Sequence, residues 1–515
     1  MTVNKDSCLR IFHKGCRPKR HIKVLQQELA GQTAAATWPR PLMVAWLALT
    51  LGACASLSAP PPQASPGLVV PAEWANANAQ AAAGNPSLLR WWQRFDDPLL
   101  GQLISQALVA NNSVQGVQAA LRQARALHDV AAAGLWPSLG SSASAQRSRR
   151  SDNTDNSFQL GLDANWELDV FGAKRSAVSA SEASAQASAA SLGTVQVSIA
   201  AEVALNYIAL RSAQERLGMA SANLASQSET LQLTQWRLQA GLVTSLEAEQ
   251  ASAATEQTAA QLPALQTSIA QTRHALAVLT GQPPAALALV LAEAGPLPQA
   301  ASSLTLAFPA ETLRQRSDVQ AAEFQLAAAA ARVAQADAAM LPSFKLGGSL
   351  GLSALTLGAL TDGASVAAAV LASASWSLFD GGAAQAQGRA QRAAFDQARA
   401  TYQATLLTAL QEVEDALVAT RYDRERLLRL QNAFASADIA ATLASQRYSS
   451  GLVDFQAVLE TQRSRLSTQD GVASARAAVS ADHVRLYKAL GGGWLPSDAN
   501  ATAFPATPLL RTPNS

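Results

Sequence analysis

Residues 157–172 read SFQLGLDANWELDVFG. Within them Phe158, Leu160, Leu162, Ala164, Trp166 and Leu168 alternate with Gln159, Gly161, Asp163, Asn165 and Glu167. A side-chain period of two is that of a β-strand, so this segment has one apolar and one polar face. It is embedded in sequence dominated by Ala, Gln, Ser and Leu at helical spacing, and the question is what a two-faced strand does there. The pattern fits a membrane strand with lipid outside and water inside. Taken alone it fits an ordinary half-buried sheet equally well.

Working outward, the chain contains itself twice. Trp166 and Trp376, Gly241 and Gly451, and Gly281 and Gly491 are each 210 residues apart. One offset holding at three landmarks indicates an internal duplication. The aligned pieces are WELDVFG (166–172) with WSLFDGG (376–382), and LQAGLVTSLEAEQ (238–250) with YSSGLVDFQAVLE (448–460). Each strand pair opens alike, with LWPSL at 135–139 and MLPSF at 340–344, an offset of 205.

Between Gly172 and Gly241, Val203, Leu210, Leu217, Leu224, Leu231 and Leu238 recur every seven residues, the seam of a coiled coil. Val413, Thr420, Leu427, Phe434, Ala441 and Tyr448 repeat it more weakly. After the glycine, Leu262, Leu265, Ile269, Thr272, Leu276 and Leu279 step by three and four, echoed by Val472, Ala475, Val479, Asp482, Leu486 and Ala489. Each repeat therefore predicts a helical hairpin whose tip is Gly241 or Gly451. At ~1.5 Å per residue the first helix spans roughly 100 Å, a length that suits a tube crossing the periplasm. Pro263 predicts a kink in the returning helix of the first repeat.

The strand half repeats as well. Phe344, Leu346, Leu350 and Leu352 share one face of a strand starting at Pro342, and Val366, Ala368, Val370, Ala372, Ala374, Trp376 and Leu378 share one face of another. The Ser-rich stretch from Leu139 to Arg150 barely alternates and reads as a strand because the repeat requires one. Turn-forming residues at 151–157 and 355–365 separate the strands. Four such strands cannot close a membrane barrel, and an open edge in lipid leaves backbone groups unpaired. Several chains must contribute: two copies give eight strands and three give twelve, and the larger ring leaves room for a water path.

The composition agrees with bundled helices. The chain is 49% hydrophobic and 15% charged, with the apolar share resting heavily on Ala. The first forty residues carry eight Lys or Arg against Asp6 and Glu28, and an apolar run from Leu42 to Ala53 ends at Cys54. A basic segment followed by an apolar run too short to span a bilayer reads as a secretory signal. Leu51-Gly52-Ala53-Cys54 resembles a bacterial lipobox, which makes Cys54 the lipidation site, and Ala55 after it resembles lipoproteins sent to the outer membrane. SLSAPPPQASPG (56–67) reads as a tether. Without the leader 31 basic residues face 35 acidic ones, which argues against a nucleic-acid partner, and no cysteine remains beyond Cys54 for a disulfide. The chain thus divides into a lipoprotein-type signal (1–53), a lipid anchor and Pro-rich tether (54–85), a first repeat (86–281), a linker (282–310), a second repeat (311–491) and a flexible C-terminal tail (492–515).

These features together resemble the outer membrane efflux protein family, the TolC-like channels, and within it the lipidated NodT-type branch. The resemblance is carried by RWWQRFDDPLLGQLISQALVANN (90–112), WELDVFGAKR, RQRSDVQAAEFQLAAAAARVAQADAAMLPSF (314–344), WSLFDGG and YSSGLVDFQAVLETQRS, in that order. At Ser317 the family usually has a proline. The resemblance implies a mostly α fold with a membrane β-barrel portion: a homotrimer whose twelve-stranded barrel sits on an α-helical barrel. It also implies an outer membrane exit duct extending into the periplasm, docked through a periplasmic adaptor protein to an inner-membrane efflux pump that exports drugs or other small toxic compounds. Phe158, Leu160, Leu162 and Trp166 would then face outer membrane lipid. By the same match Tyr448, Asp454 and Glu460 fall near the periplasmic constriction. Three Glu460 carboxylates brought together would repel one another or hold a cation.

No Gly-rich loop followed by Lys-Ser or Lys-Thr and no Gly-x-Ser-x-Gly elbow is present, and His128, His274 and His483 each stand alone on helical sequence. The expectation is a passive, non-enzymatic component with no cofactor and no metal. Two other readings stand beside it: the outer membrane component of a type I-like protein secretion system, and a non-conducting periplasmic coiled-coil lipoprotein.

Overall fold

A computed structural model describes residues 71, 74–75, 88–150, 153–300 and 309–494. The expected signal, Cys54 and most of the expected tether and tail lie outside the described residues.

A short 3-10 segment, Leu88–Phe95, leads into helix α1 (Pro98–Ala110) and helix α2 (Asn112–Ala133). Strands β1 (Ser138–Arg150) and β2 (Asn153–Leu168) follow, then helices α3 (Ala173–Gln239), α4 (Ser245–Ala259) and α5 (Gln261–Leu279). The second half runs through α6 (Pro309–Gln315), α7 (Ser317–Ala338), β3 (Ser343–Ala354), β4 (Val366–Ser375), α8 (Ala383–Ser449) and α9 (Phe455–Ala489). α3 and α8 are each 67 residues long and begin 210 residues apart, while α2 and α7 are each 22 residues long and begin 205 apart. The duplication is thus realised element by element.

Three details differ from the sequence reading. β4 ends at Ser375, so Trp376 and Leu378 lie beyond it; the indole of Trp376 donates to the Met340 carbonyl (3.2 Å) instead of continuing the face. Residues 153–157 belong to β2 rather than to the turn, because the antiparallel ladder runs without interruption to the pair Arg150 and Asn153. The kink expected from Pro263 is a break three residues earlier, at Ala260, between α4 and α5. A proline ring clashes with the carbonyl four residues back, here that of Ala259, and removes an amide donor. α9 has no proline and runs unbroken over the corresponding 35 residues.

The two long helices are the frame. α2, α7 and the returning helix formed by α4 and α5 pack along α3, and α7 and α9 pack along α8. The short helices meet end to end. Asn111, whose side chain caps α2, donates from Nδ2 to the Leu279 carbonyl at the end of α5 (2.9 Å). Arg316 at the start of α7 donates from Nη1 to the Ala489 carbonyl at the end of α9 (2.8 Å). Each contact satisfies a helix-end carbonyl that would otherwise be buried and unpaired.

The main core lies at this mid-height level, where Trp91, Phe95, Ile104, Tyr207, Leu210, Leu276 and Tyr487 are buried together. The heptad positions Val203 and Leu210 are fully buried there, and those nearer the tip, Leu217 to Leu238, are half-buried. α3 is long and apolar enough by composition to cross a membrane. At 67 residues it spans about 100 Å, some three times a bilayer core, and it is built as a packed strut.

Candidate channel wall and hairpin tips

The four strands form one antiparallel sheet in the order β1-β2-β3-β4. The register has no bulge, so directly paired residues share a face throughout. One face carries Phe158, Leu160, Leu162, Ala164, Trp166 and Leu168 from β2. Leu346, Leu350 and Leu352 join it from β3, Val366, Ala368 and Val370 from β4, and Ala143 and Ala145 from β1. The other carries Gln159, Asp163, Asn165, Glu167, Lys345, Ser349, Ser353 and Ser373, with Ser138, Ser142, Ser144 and Ser148 of β1. Leu160, Leu162, Leu350, Val366 and Val370 are exposed within one chain, and the outer edges of β1 and β4 have no partner strand among the described residues.

At the base of the sheet the strands are tied to the helices. The indole of Trp166 donates to the Leu135 carbonyl (2.9 Å), the counterpart of the Trp376 bond, and Lys174 donates to the Gly134 carbonyl (2.9 Å). The first amides of each long helix are met by an aspartate. Asp169 accepts from the backbone of Lys174 (2.9 Å) and Arg175 (3.0 Å) and from the Arg175 side chain (3.0 Å). Partial burial pulls the Asp169 carboxyl upward, but these donors outweigh it and hold the group below the usual carboxylate range. Asp380 accepts from Ala384 (2.7 Å), Gly382 (2.8 Å) and Ala383 (3.1 Å), and those amides lower its carboxyl likewise. Sequence reasoning passed over both residues although they sit inside the repeated WELDVFG and WSLFDGG. In the first, the aspartate stands four residues before the helix, farther out than an ordinary N-cap.

At the opposite end each hairpin turns through one geometry. Gly241 (φ 72°) and Gly451 (φ 74°) are left-handed, with Leu242 donating to Arg237 (2.8 Å) and Leu452 to Arg447 (2.9 Å), six-to-one closures that complete Schellman caps. Leu242, Leu246 and Leu452 are exposed at these tips. Asp454 caps α9, accepting from the Ala457 amide at 3.0 Å. Tyr448 packs on Phe455 (ring centroids 5.4 Å apart) under the Arg237 guanidinium (5.1 Å from the ring), which links the two hairpins. Phe455, Val458 and Leu459 bury against Ala251 and Ala254 of α4. Glu460, on the same helix, is exposed, and no hydrogen bond or ion pair joins it to Asp454 or Tyr448. Of the three gate candidates, Asp454 and Tyr448 thus have structural work within the chain, and Glu460 has a free carboxylate among the described residues.

Two polar networks lie in the packed region. Arg211 donates to the Tyr207 hydroxyl, which donates to Asp97 (2.9 Å), and burial pushes the Tyr207 phenol up to about 12. Asp482 is fully buried on α9. Burial first, and the neighbouring Asp423 carboxyl second, push it up to about 6 against the pull of Arg485 (2.7 Å). Beside it His483 receives Arg424 at Nε2 (2.7 Å) and donates from Nδ1 to the Val479 carbonyl (2.8 Å). Among the described residues no group of three or more His, Cys, Asp or Glu is placed to hold a metal.

A two-faced sheet with open edges, set on paired helices of this length and repeated within the chain, is a specific architecture. The model of the outer membrane efflux protein family matches residues 103–282 and again 308–492. The chain belongs to the outer membrane efflux protein family. This efflux protein is 34% identical over 476 residues to the pyoverdine export outer membrane protein OpmQ of Pseudomonas putida, covering 89% of this chain and 98% of that one. It is 29% identical over 455 residues to nodulation protein T of Rhizobium leguminosarum bv. viciae, covering 88% and 93%. Its fold matches the outer-membrane channel OprN with a TM-score of 0.79 at 35% identity, covering 84% of this chain and 99% of that one. The Campylobacter jejuni CmeC outer membrane channel matches with a TM-score of 0.77 at 25% identity, covering 85% and 97%. The family is one of channels, not enzymes, and the efflux protein shares its mostly helical, four-stranded fold and its outer membrane location.

Proposed function

We propose that this efflux protein is the passive exit duct of a tripartite pump. Three copies join β4 of one to β1 of the next, closing a twelve-stranded barrel above a helical tube. The observation that carries this reading is the sheet itself, which has one apolar face, one polar face and two unpaired edges. Lipid satisfies the first, a water-filled lumen the second, and further copies the third. In the assembly Phe158, Leu160, Leu162 and Trp166 face lipid, Cys54 carries the anchor, and the hairpin tips around Gly241 and Gly451 dock a periplasmic adaptor that connects to an inner-membrane pump. The exposed Leu242 and Leu452 support docking, since a cluster of uncovered apolar side chains marks an interaction surface. Energy comes from the partner, as the chain carries no recognisable ATP-binding or catalytic motif. The relatives' names span pyoverdine, toluene and solvent export, consistent with a duct that leaves cargo selection to the pump.

The test combines three measurements: mass in detergent, single-channel conductance in planar bilayers, and the phenotype of a deletion strain. Trimer mass, discrete conductance and lost resistance to small toxic compounds are expected. A monomer without conductance returns the reading to a coiled-coil scaffold; intact resistance with lost secreted proteins returns it to a secretion duct. At the constriction, Glu460→Ala is expected to lower the cation preference of the conductance, and an unchanged selectivity removes Glu460 from the gate.

A further inference from the structure

Charge is distributed unevenly over the two faces of the sheet. Asp155, Asp163, Glu167 and Lys345 stand on the polar face. Among the described strand side chains Arg147 and Arg149 alone are charged on the apolar face, in line with Ala143 and Ala145 on β1. Both are exposed, and neither has an ion-pair partner among the described residues.

Their height is informative. From Leu168 to Phe158 the apolar row of β2 runs about 33 Å along the strand at ~3.3 Å per residue, or about 25 Å vertically at a barrel strand's usual tilt, the height of an outer membrane barrel's apolar band. Arg147 pairs with Asn156 and Arg149 with Thr154, the next two rows of that face beyond Phe158. They stand roughly 5 and 10 Å past the band, at headgroup depth. They lie on the end away from the helices, which is the outer leaflet in the barrel reading on which this inference rests. A guanidinium there pairs best with phosphate, which it meets through two parallel N–H···O bonds.

We propose that Arg147 and Arg149 form a binding site for the phosphate groups of an outer-leaflet glycolipid, its acyl chains lying on the Leu160 and Leu162 face below. The occupant is a phosphorylated lipid such as bisphosphorylated lipid A, because a site backed by an apolar wall favours an anion that carries chains.

The test uses the purified full chain in nanodiscs, with bisphosphorylated and dephosphorylated lipid A as probes. Wild type is expected to prefer the phosphorylated form. Arg147→Gln with Arg149→Gln is expected to weaken that form by about thirtyfold, from two basic contacts at a charged surface, and to leave the dephosphorylated form unchanged. Arg147→Lys with Arg149→Lys keeps the charges but loses the paired N–H···O bonds, and is expected to fall between wild type and the glutamine variant. Millimolar inorganic phosphate fails to displace the lipid; displacement would identify a free-phosphate site instead and overturn the lipid assignment. Equal wild-type binding of both lipids also overturns the proposal. That wild-type comparison decides the matter even where the glutamine variant does not fold. Failure of the wild-type chain to enter nanodiscs overturns the barrel reading itself, and this inference with it.

Discussion

Asp169 and Asp482 are both aspartates packed against helices, yet their environments drive them in opposite directions. Asp169 is surrounded by donors, so its folded-state carboxyl lies below the ordinary value of 3.8. Its contribution is complete above the ordinary carboxylate range and is lost as pH falls through the depressed value. Asp169→Ala is expected to cost about 1 kcal/mol at neutral pH, the worth of a helix cap. That difference should close in strong acid, as followed by helical circular dichroism during thermal unfolding in detergent. Asp482 is raised to about 6, so the folded state holds its proton more tightly than the unfolded chain does. Its contribution is complete below the ordinary range and declines as pH rises through roughly 4 to 6. Asp482→Asn is expected to leave stability unchanged near pH 4 and to raise it by about 2 kcal/mol near pH 7.5. A loss of stability at both values would show that the Arg485 pairing outweighs the buried charge. Asp482 had been legible only as a seam position, because a period of three and four identifies a buried site and says nothing about what it meets.

At the level of the element, the same glycine landmark does two different jobs. Gly241 and Gly281 share a left-handed φ of 72°, but a Cβ on Gly241 meets nothing within 4 Å, whereas one on Gly281 lies 2.4 Å from the Ala110 carbonyl oxygen. Gly241→Ala is therefore expected to cost about 1 kcal/mol, the price of a left-handed non-glycine residue. Gly281→Ala should cost clearly more, since it also pushes apart the junction where Asn111 joins α2 to α5; equal losses in chemical denaturation would contradict that steric account. The sequence offset aligned the two glycines with Gly451 and Gly491 but could not separate a free tip from a packed junction. Ser317 illustrates the same limit. Where the family usually has proline, its buried hydroxyl lies 3.0 Å from that of Thr194 on α3, and α7 still begins there.

For the whole molecule the decisive property is the separation of the two sheet faces. Leu350 and Ser349 are adjacent on β3 and point oppositely, Leu350 beside Leu162 and Ser349 beside Asp163. Leu350→Lys is expected to cost about 2–4 kcal/mol near the middle of the bilayer and to reduce the amount of protein found in outer membrane fractions. Ser349→Lys, across from a carboxylate, should insert normally. Similar behaviour of the two variants would remove the membrane from the account of this sheet.

The sequence by itself determined the periods and their repetition: strand against helix, heptad seam, glycine tips, and a chain built of two copies. Those are local regularities, and backbone geometry turns them into elements without reference to distant residues. Only the tertiary structure decided what each element meets. The absence of any bulge in the ladder sorts Arg147 and Arg149 onto the apolar face. The junctions held by Asn111 and Arg316 join residues more than 160 positions apart. Those outcomes depend on register and on close approach between remote segments, which periodicity does not encode.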